Sequence, residues 1–348
     1  MKRYFAACLL GALSLGAIAA PAARNGWHVL QRWQIGGEGG WDYLAFDPAT
    51  KHLYVSRSDR VVVLDVAGMP SMAKSSVIGE IDGLSGVHGI AIAQDLHRGF
   101  ISNGRADTVT VFDPATLKAE QTIAVNGENP DAILYDPYSK RVFTFNGHSH
   151  DASVIDAASG KLLGTIALPG KPEFAVSDAR GHVYDNIEDK GELVEIDPEA
   201  MKVTHTWALK DCEDPSGLAM DIAHRRLFSV CQNGNMAVTD ADSGKPVAGV
   251  PIGDGPDAAA FDPQRQLVFS SNGRSGTLTV VHEDSADRYS VLANVPTQKS
   301  ARTMALQPGG EIYLSAAQFG PRPKPGAGNP HARPPLVPGS FTIVVVGQ

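Results

Sequence analysis

The sequence predicts an all-β fold, a seven-bladed β-propeller made of four-stranded antiparallel blades. The first observation is the stretch Asn129–Gly170, which contains four short apolar runs, each closed by turn residues such as Asp-Pro, Asn-Gly, Ser-Gly and Pro-Gly. These turn residues rarely occur inside central strands, so each cluster ends one run and begins the next. The four runs are therefore predicted to be strands A to D of one antiparallel blade.

The second observation is that this unit recurs along the chain. An anchor residue marks the start of strand A in each copy, and successive anchors are separated by 46, 43, 42, 43, 41 and 45 residues. No segment sustains the 3.6-residue periodicity that helical repeats of similar length would show. The repeats predict seven blades, with anchors Asp42, His88, Asp131, Glu173, Ser216, Asp257 and Arg302.

The two ends of the chain are predicted to meet in the last blade. The seventh repeat ends after its third strand, Phe341–Val346, whereas Trp27–Ile35 precedes the first anchor and is similar to a strand D. Trp27–Ile35 is therefore expected to be the outer strand of blade 7, which closes the ring and leaves no open blade edge. The propeller domain is predicted to span residues 24–348.

Residues 1–23 have the features of a secretory signal peptide. Lys2 and Arg3 precede an apolar run from Ala6 to Ala20, and small residues follow it. The run is short for a membrane-spanning helix and no stop-transfer pattern follows. The protein is therefore expected to be periplasmic or secreted, with no membrane span after cleavage.

Composition and motifs exclude several function classes. The formal net charge of −8 argues against general nucleic-acid binding, which needs a basic surface. The sequence contains no nucleophile elbow, HExxH motif, phosphate-binding loop or CxxCH haem-attachment motif. No established catalytic motif therefore marks the chain as an enzyme.

Two cysteines, Cys212 and Cys231, lie outside the predicted signal peptide. Cys212 precedes strand A of blade 5 and Cys231 ends strand B of the same blade. In an oxidising compartment this arrangement predicts a disulfide that closes a short loop.

Two segments carry a family resemblance. Residues 102–118 (SNGRADTVTVFDPATLK) and 271–281 (SNGRSGTLTVV) combine an Asn-Gly turn with a strand C and, in the first case, an Asp-Pro turn. This pattern resembles the YVTN-repeat, YncE-like β-propellers of bacteria over nearly the whole mature chain. The resemblance implies an extracytoplasmic binding protein, although the same fold also hosts binding scaffolds, lactonases, lyases and redox subunits.

Propeller topology predicts a functional end of the central channel, called here the channel mouth. Strand A of each blade starts at the face that also carries the B–C loops, so the anchors form a ring surrounded by those loops. Ligand sites favour concave places with a few convergent polar groups. The predicted ligand-binding residues are Arg57, Asn103, Arg105, Asn146, His148, Arg274 and Arg302.

The ring is also a candidate metal site. Its four carboxylates would repel one another unless a cation, Arg302 or shared protons compensate. Carboxylates suit Ca²⁺ or Mg²⁺, and a histidine widens the choice to Zn²⁺ or Mn²⁺. Alternatively, the polar anchors meet channel water and recur by descent of the repeat. The candidate ligands are Asp42, His88, Asp131, Glu173 and Asp257.

Two further segments border the predicted mouth. His148 and His150, beside Asp151, form a second candidate metal site, and the alternative is an exposed loop without a ligand. The proline-rich residues 319–339 interrupt blade 7 and are predicted to be a loop with polyproline II character. This loop is either a semi-rigid flap over the mouth or a tolerated surface insertion.

Two functions from different classes remain open. The first is a non-catalytic protein that binds a small molecule, peptide or protein at the channel mouth. The second is a lactonase-like hydrolase or a lyase, in which a divalent ion polarises a carbonyl and His88 moves the proton. The first is favoured because the sequence shows no complete catalytic constellation, and a bound metal with open coordination sites would distinguish the two.

Overall fold

The computed structural model describes residues 26–67, 76–323 and 334–348. These residues form seven four-stranded antiparallel sheets arranged as consecutive blades. The predicted seven-bladed β-propeller is therefore confirmed. The predicted signal peptide, residues 1–23, lies outside the described residues.

The first three blades follow the predicted A–B–C–D order. Blade 1 contains strands β2–β5, at Leu44–Asp47, His52–Arg57, Arg60–Asp65 and Ser76–Ile81. Blade 2 contains β6–β9, at Val87–Ala93, Arg98–Asn103, Thr108–Asp113 and Lys118–Ala124. Blade 3 contains β10–β13, at Pro130–Asp136, Arg141–Asn146, Asp151–Asp156 and Leu162–Ala167.

The next three blades repeat this order. Blade 4 contains β14–β17, at Pro172–Ser177, Val183–Ile187, Glu192–Asp197 and Lys202–Ala208. Blade 5 contains β18–β21, at Pro215–Asp221, Arg226–Cys231, Asn235–Asp240 and Pro246–Pro251. Blade 6 contains β22–β25, at Pro256–Asp262, Leu267–Asn272, Thr277–Ser285 and Arg288–Pro296. Short 3₁₀ turns occur at Gln94–Leu96 and Glu188–Lys190. No helix in the described ranges is long and apolar enough to cross a membrane.

Blade 7 is assembled from both ends of the chain. It contains β26–β28, at Thr303–Leu306, Ile312–Ala316 and Thr342–Gly347, and the N-terminal strand β1, at His28–Gln34. β1 pairs antiparallel with β28, from His28 opposite Gly347 to Gln34 opposite Thr342. The prediction that the N-terminal strand closes the ring is confirmed.

The hydrophobic core lies between neighbouring blades. The large residue near the start of each strand B is fully buried; these residues are Tyr54, Phe100, Phe143, Tyr184, Phe228, Phe269 and Tyr313. In one interface the ring of Tyr54 in blade 1 lies 5.6 Å from that of Phe112 in blade 2. Strands B and C are buried on both faces, which explains why they appear in the sequence as nearly continuous apolar runs.

On the face opposite the mouth, the aspartate at the end of strand A links neighbouring blades. Its carboxylate accepts a backbone N–H of its own turn, as in Ala49 N to Asp47 Oδ1 at 2.9 Å. It also accepts a donor from the next blade. These donors are Gln94 Nε2 to Asp47, Ser177 Oγ to Asp136 and Arg225 to Asp178, at 2.6 to 2.8 Å.

The predicted disulfide is confirmed. Cys212 and Cys231 are bonded, with their Cα atoms 5.2 Å apart. Cys231 is the last residue of strand β19, and Cys212 precedes strand β18 in the same blade. The bond therefore ties the segment that enters blade 5 to the end of its second strand.

Candidate functional site

Three anchors from blades 1, 2 and 3 are in contact at the channel mouth. Nδ1 of His88 lies 2.6 Å from Oδ2 of Asp42 and 3.4 Å from Oδ1 of Asp131. One ligand atom from each of the three side chains lies within 4.8 Å of the other two. Asp42 and His88 also line an open cleft of about 570 Å³. This group can hold a divalent cation or the cationic group of a ligand.

The electrostatics of this group favour a protonated histidine between two carboxyl groups. Burial disfavours the charged imidazole, but the hydrogen bond to Asp42 and the negative charge of Asp131 raise the pKa of His88 above its ordinary value. Burial raises the pKa of Asp131 to about 6, although the charge of His88 opposes the shift. The group is therefore able to take up or release protons close to neutral pH.

The space beside the His88 ring depends on a glycine. A Cβ atom on Gly104 would lie 2.6 Å from Nε2 of His88 and 2.6 Å from Oδ1 of Asn129. Gly104 and Asn129 both line the cleft. A residue without a side chain therefore leaves room for the imidazole ring at the edge of the cleft.

Arg302 of blade 7 connects the carboxylates of blades 6 and 1. Its guanidinium donates to Oδ2 of Asp257 at 2.6 Å and to Oδ1 of Asp42 at 3.4 Å. Burial raises the pKa of Asp257 to about 6, and the positive charge of Arg302 limits that shift. Arg302 thus offsets part of the repulsion within the ring and remains partly exposed to the mouth.

Glu173 of blade 4 is paired with a lysine that the sequence interpretation missed. Nζ of Lys171 lies 3.2 Å from Oε2 of Glu173 and also contacts the carboxylate of Glu188. Burial and the charge of Asp131 raise the pKa of Glu173 to about 8.

Comparison of the blades shows that Lys171 is an unusual residue for its position in the repeat. The residue two positions before the anchor has a positive φ in five blades, at Gly86, Asn129, Asp214, Gly255 and Ser300. A lysine at this position departs from that pattern.

An aromatic pair crosses the channel below the ring. Tyr43 directly follows Asp42 in blade 1, and Phe174 directly follows Glu173 in blade 4. Their ring centroids are 5.5 Å apart. Because blades 1 and 4 are not neighbours, the two rings meet across the channel. Burial and the surrounding carboxylates, Asp131 and Glu173 first among them, hold the pKa of Tyr43 well above its usual value. The pair gives the mouth a floor.

The predicted B–C loop residues divide into two groups, and the first group lies at the mouth. Arg105 and His148 line the 570 Å³ cleft together with His88. Arg274 lines a smaller cleft beside Asp257 and Arg302. Within the described ranges, neither His148 nor His150 belongs to a group of three metal-ligating side chains.

The second group has structural contacts. Arg57 is 0 % exposed, and its guanidinium donates to the backbone carbonyls of Gly36 at 2.9 Å and Glu38 at 3.0 Å. It also lies 3.9 Å from the ring of Phe341. Asn103 and Asn146 are buried, and each donates to two side chains on strand C of its own blade. These contacts hold the loops in place, and the ligand-binding role of the three residues stays a prediction.

Ser216, the anchor of blade 5, also faces the protein interior. It is buried, and its hydroxyl donates to the backbone carbonyl of Pro256 in blade 6 at 3.1 Å. Of the predicted metal ligands, Asp42, His88 and Asp131 form one group. Glu173 is instead paired with Lys171, and Asp257 with Arg302.

The described ends of the proline-rich loop border the mouth. Phe319 pairs with Leu336 in an isolated β-bridge, and the rings of Trp41 and Phe319 are 5.9 Å apart. Trp41, Arg302, Phe319 and Leu336 line a second cleft of about 600 Å³. Residues 324–333 lie outside the described ranges. The flap interpretation therefore stays a prediction for the centre of the loop.

The fold and the mouth together define the class of this protein, a seven-bladed β-propeller with a polar pocket above an aromatic floor. No family model matches the chain, and no curated protein matches its sequence. The resemblance to the YVTN-repeat family therefore stays a prediction.

Solved structures show the same fold. Kuenenia stuttgartiensis hydrazine synthase is 18 % identical over 79 % of this chain and 92 % of that chain, with a TM-score of 0.67. U3-55K is 11 % identical over 92 % of this chain and 98 % of that chain, with a TM-score of 0.72. The WD40 repeats of RRP9 are 11 % identical over 93 % and 98 %, with a TM-score of 0.73. At these identities the likeness shows the fold alone.

Proposed function

We propose that this chain is an exported β-propeller that binds a small molecule, or an exposed segment of a peptide or protein, at the channel mouth. One observation carries this proposal. In the pocket above the Tyr43–Phe174 pair, Asp42, His88 and Asp131 come from three blades and lie close together, and Arg302 contacts Asp42. Export is supported by the disulfide and by the signal-like pattern of residues 1–23.

The charges of the pocket suggest the chemistry of the ligand. Asp42 and Asp131 offer carboxylates to a cationic group, and Arg302 and Arg105 offer guanidinium groups to an anionic one. Because these side chains come from separate blades of a rigid ring, they are positioned before the ligand arrives. A compact zwitterionic ligand satisfies both signs at once.

The second candidate function is metal-assisted hydrolysis or lyase chemistry. It is favoured by the grouping of Asp42, His88 and Asp131 within 4.8 Å. A divalent ion held there would polarise a lactone or ester carbonyl. The atom of His88 that faces both carboxylates is Nδ1. If Nδ1 binds the ion, it is not free to move a proton, so that role would fall to another group of the mouth.

Binding measurements on variants test the proposal. A thermal-shift screen of amino acids, dipeptides, lactones and divalent chlorides would select a ligand, and calorimetry would measure its affinity. Asp131→Asn and Arg302→Ala are each expected to weaken binding at least about tenfold, which is about 1.4 kcal/mol. The loss arises because each substitution removes a charge that the ligand would contact.

Matched controls lie on the opposite face of the ring. Asp95 and Lys140 form an exposed ion pair there with a separation of 2.6 Å. Asp95→Asn and Lys140→Ala remove the same kinds of charge and should leave affinity unchanged. Wild-type affinity in both mouth variants, or equal losses in the controls, would contradict the proposed site.

A further inference from the structure

A second group of titratable side chains lies away from the mouth, between blades 5 and 6. Nδ1 of His224 lies 2.6 Å from Oδ2 of Asp221 and 3.4 Å from Oε1 of Glu283. One ligand atom from each of these residues lies within 4.8 Å of the other two. Asp221 ends strand β18, so the group lies on the face where strands A end, opposite the mouth.

Glu283 occupies a position that other blades fill with an apolar side chain. Its backbone N–H donates to Gln266 O, the residue before strand B, at 2.9 Å. The equivalent backbone contact in blades 1, 3 and 5 is made at 3.0 to 3.1 Å by Val66, Ala157 and Ala241. All three are buried, and Glu283 is likewise only 1 % exposed. A carboxylate has thus replaced a small apolar group inside an interface between blades, which is costly unless a positive partner is present.

The neighbouring aspartate lacks the donor that its equivalents receive from the next blade. Asp47, Asp136 and Asp178 each accept such a donor. Among the described residues, Asp221 accepts backbone N–H groups of its own turn, and the next blade brings Glu283, an acceptor, close to it. The carboxylates of Asp221 and Glu283, both acceptors, therefore face each other. In blades 1, 3 and 4 the aspartate at this position instead faces a donor from the next blade.

The two oxygens of Glu283 differ in their contacts. Oε1 has His224 at 3.4 Å and the hydroxyl of Tyr289 at 3.4 Å. Oε2 is buried and has no hydrogen-bond partner in the described part of the chain. A buried carboxylate oxygen without a partner, next to a second carboxylate, requires either a cation or a shared proton.

We propose that Asp221, His224 and Glu283 bind a divalent transition-metal ion, Zn²⁺ or Mn²⁺, which links blade 5 to blade 6. One imidazole nitrogen and two carboxylates suit these ions, whereas Ca²⁺ requires six to eight oxygen ligands. The His224 side chain is 39 % exposed, so water reaches the group and can complete the coordination. A shared proton is the competing occupant, since burial and the charge of Asp221 raise the pKa of Glu283 to about 7.

Zinc titration of the full mature chain tests this site. Protein stripped with a chelator would be titrated with ZnCl₂ by calorimetry, and CoCl₂ would serve as a spectroscopic probe. His88→Ala removes a ligand of the mouth group and so separates the two locations. Glu283→Ala introduces the residue that blades 3 and 5 carry at this position and is therefore expected to fold.

The expected result is one zinc ion bound by both wild type and His88→Ala at this location, with at least about a tenfold loss of affinity in Glu283→Ala. At about a hundredfold excess of zinc over the dissociation constant, the melting temperature should rise by roughly 3 to 6 °C, except in Glu283→Ala. If Glu283→Ala does not fold, Glu283→Gln takes its place. Loss of all zinc binding in His88→Ala, unchanged affinity in the Glu283 variant, or no binding by wild type would overturn the proposal.

Discussion

At the residue scale, the repeat pattern locates the ring but does not reveal which side chains are available to a ligand. Arg57 and Arg302 both follow the pattern of mouth residues. Arg302 meets two ring carboxylates, whereas Arg57 is buried against the carbonyls of residues 36–40. Arg57 is buried because the glycine-rich residues 36–40 wrap around its guanidinium, and a single sequence does not specify the path of that segment. Pairings such as Lys171 with Glu173 become visible only when departures from the repeat are compared blade by blade.

The first prediction concerns Glu173. Its pKa is raised from 4.5 to about 8, so between these values the folded state holds a proton that the unfolded state has released. Stability is therefore expected to fall as pH rises from about 4.5 to 8. Glu173→Gln should remove the part of this decline that Glu173 causes and be more stable than wild type at pH 8, by on the order of 2 kcal/mol.

Urea denaturation at pH 5, 6.5 and 8 measures this difference. Glu120→Gln, on the exposed strand β9, controls for the loss of a surface carboxylate. A constant difference between Glu173→Gln and wild type across the three pH values would show that Glu173 does not hold a proton in the folded protein.

At the scale of strands, the sequence predicts most of the structure. Turn pairs such as Asp-Pro and Asn-Gly set the ends of the strands, and buried aromatic residues set the register between blades. The N-terminal strand, predicted at Trp27–Ile35, is observed at His28–Gln34. The repeat pattern does not predict that Glu283 lies beside Asp221 and His224. Its neighbour Asp221 lies in another blade, and strand β24 is longer than each of the other C strands described in the ring.

The second prediction concerns the disulfide, which ties the entry to blade 5 to the end of strand β19. Cys212 and Cys231 are 19 residues apart, and a loop of this length predicts a stabilisation of about 3 kcal/mol relative to the reduced chain. Cys212→Ser with Cys231→Ser should lower the urea midpoint accordingly. Both sulfurs are buried, so serine adds some cost from unsatisfied hydroxyl groups.

Reduction of the wild-type protein provides the control for that added cost. Wild type in dithiothreitol should also lose most of the stabilisation. Equal midpoints for the oxidised and reduced wild type would contradict the prediction.

At the scale of the whole molecule, ring closure joins strands from the two ends of the chain in one blade. Strand β1 pairs with β28 along its length, and Trp27 and Trp33 are buried against blades 6, 7 and 1. Closure of this kind was predictable because the seventh repeat lacks its own fourth strand. The mouth depends on it, since Arg302 of blade 7 must meet Asp42 of blade 1.

The third prediction follows from closure. A chain that begins after Gly37 lacks β1 and exposes the edge of β28, which should lower the melting temperature by more than about 10 °C and promote aggregation. A chain that begins at Gly26 keeps β1 and serves as the matched control. Calorimetry and light scattering measure both effects. An unchanged melting temperature with no aggregation would show that closure by β1 is dispensable.

The central proposal is that the channel mouth is the binding site, and a crystal structure of residues 24–348 with the selected ligand tests it most directly. The predicted result is ligand density above the Tyr43–Phe174 pair, with a cationic group near Asp42 and Asp131 and an anionic group near Arg302. Ligand bound on the opposite face, or on the outer strands with the mouth free of it, would contradict the account.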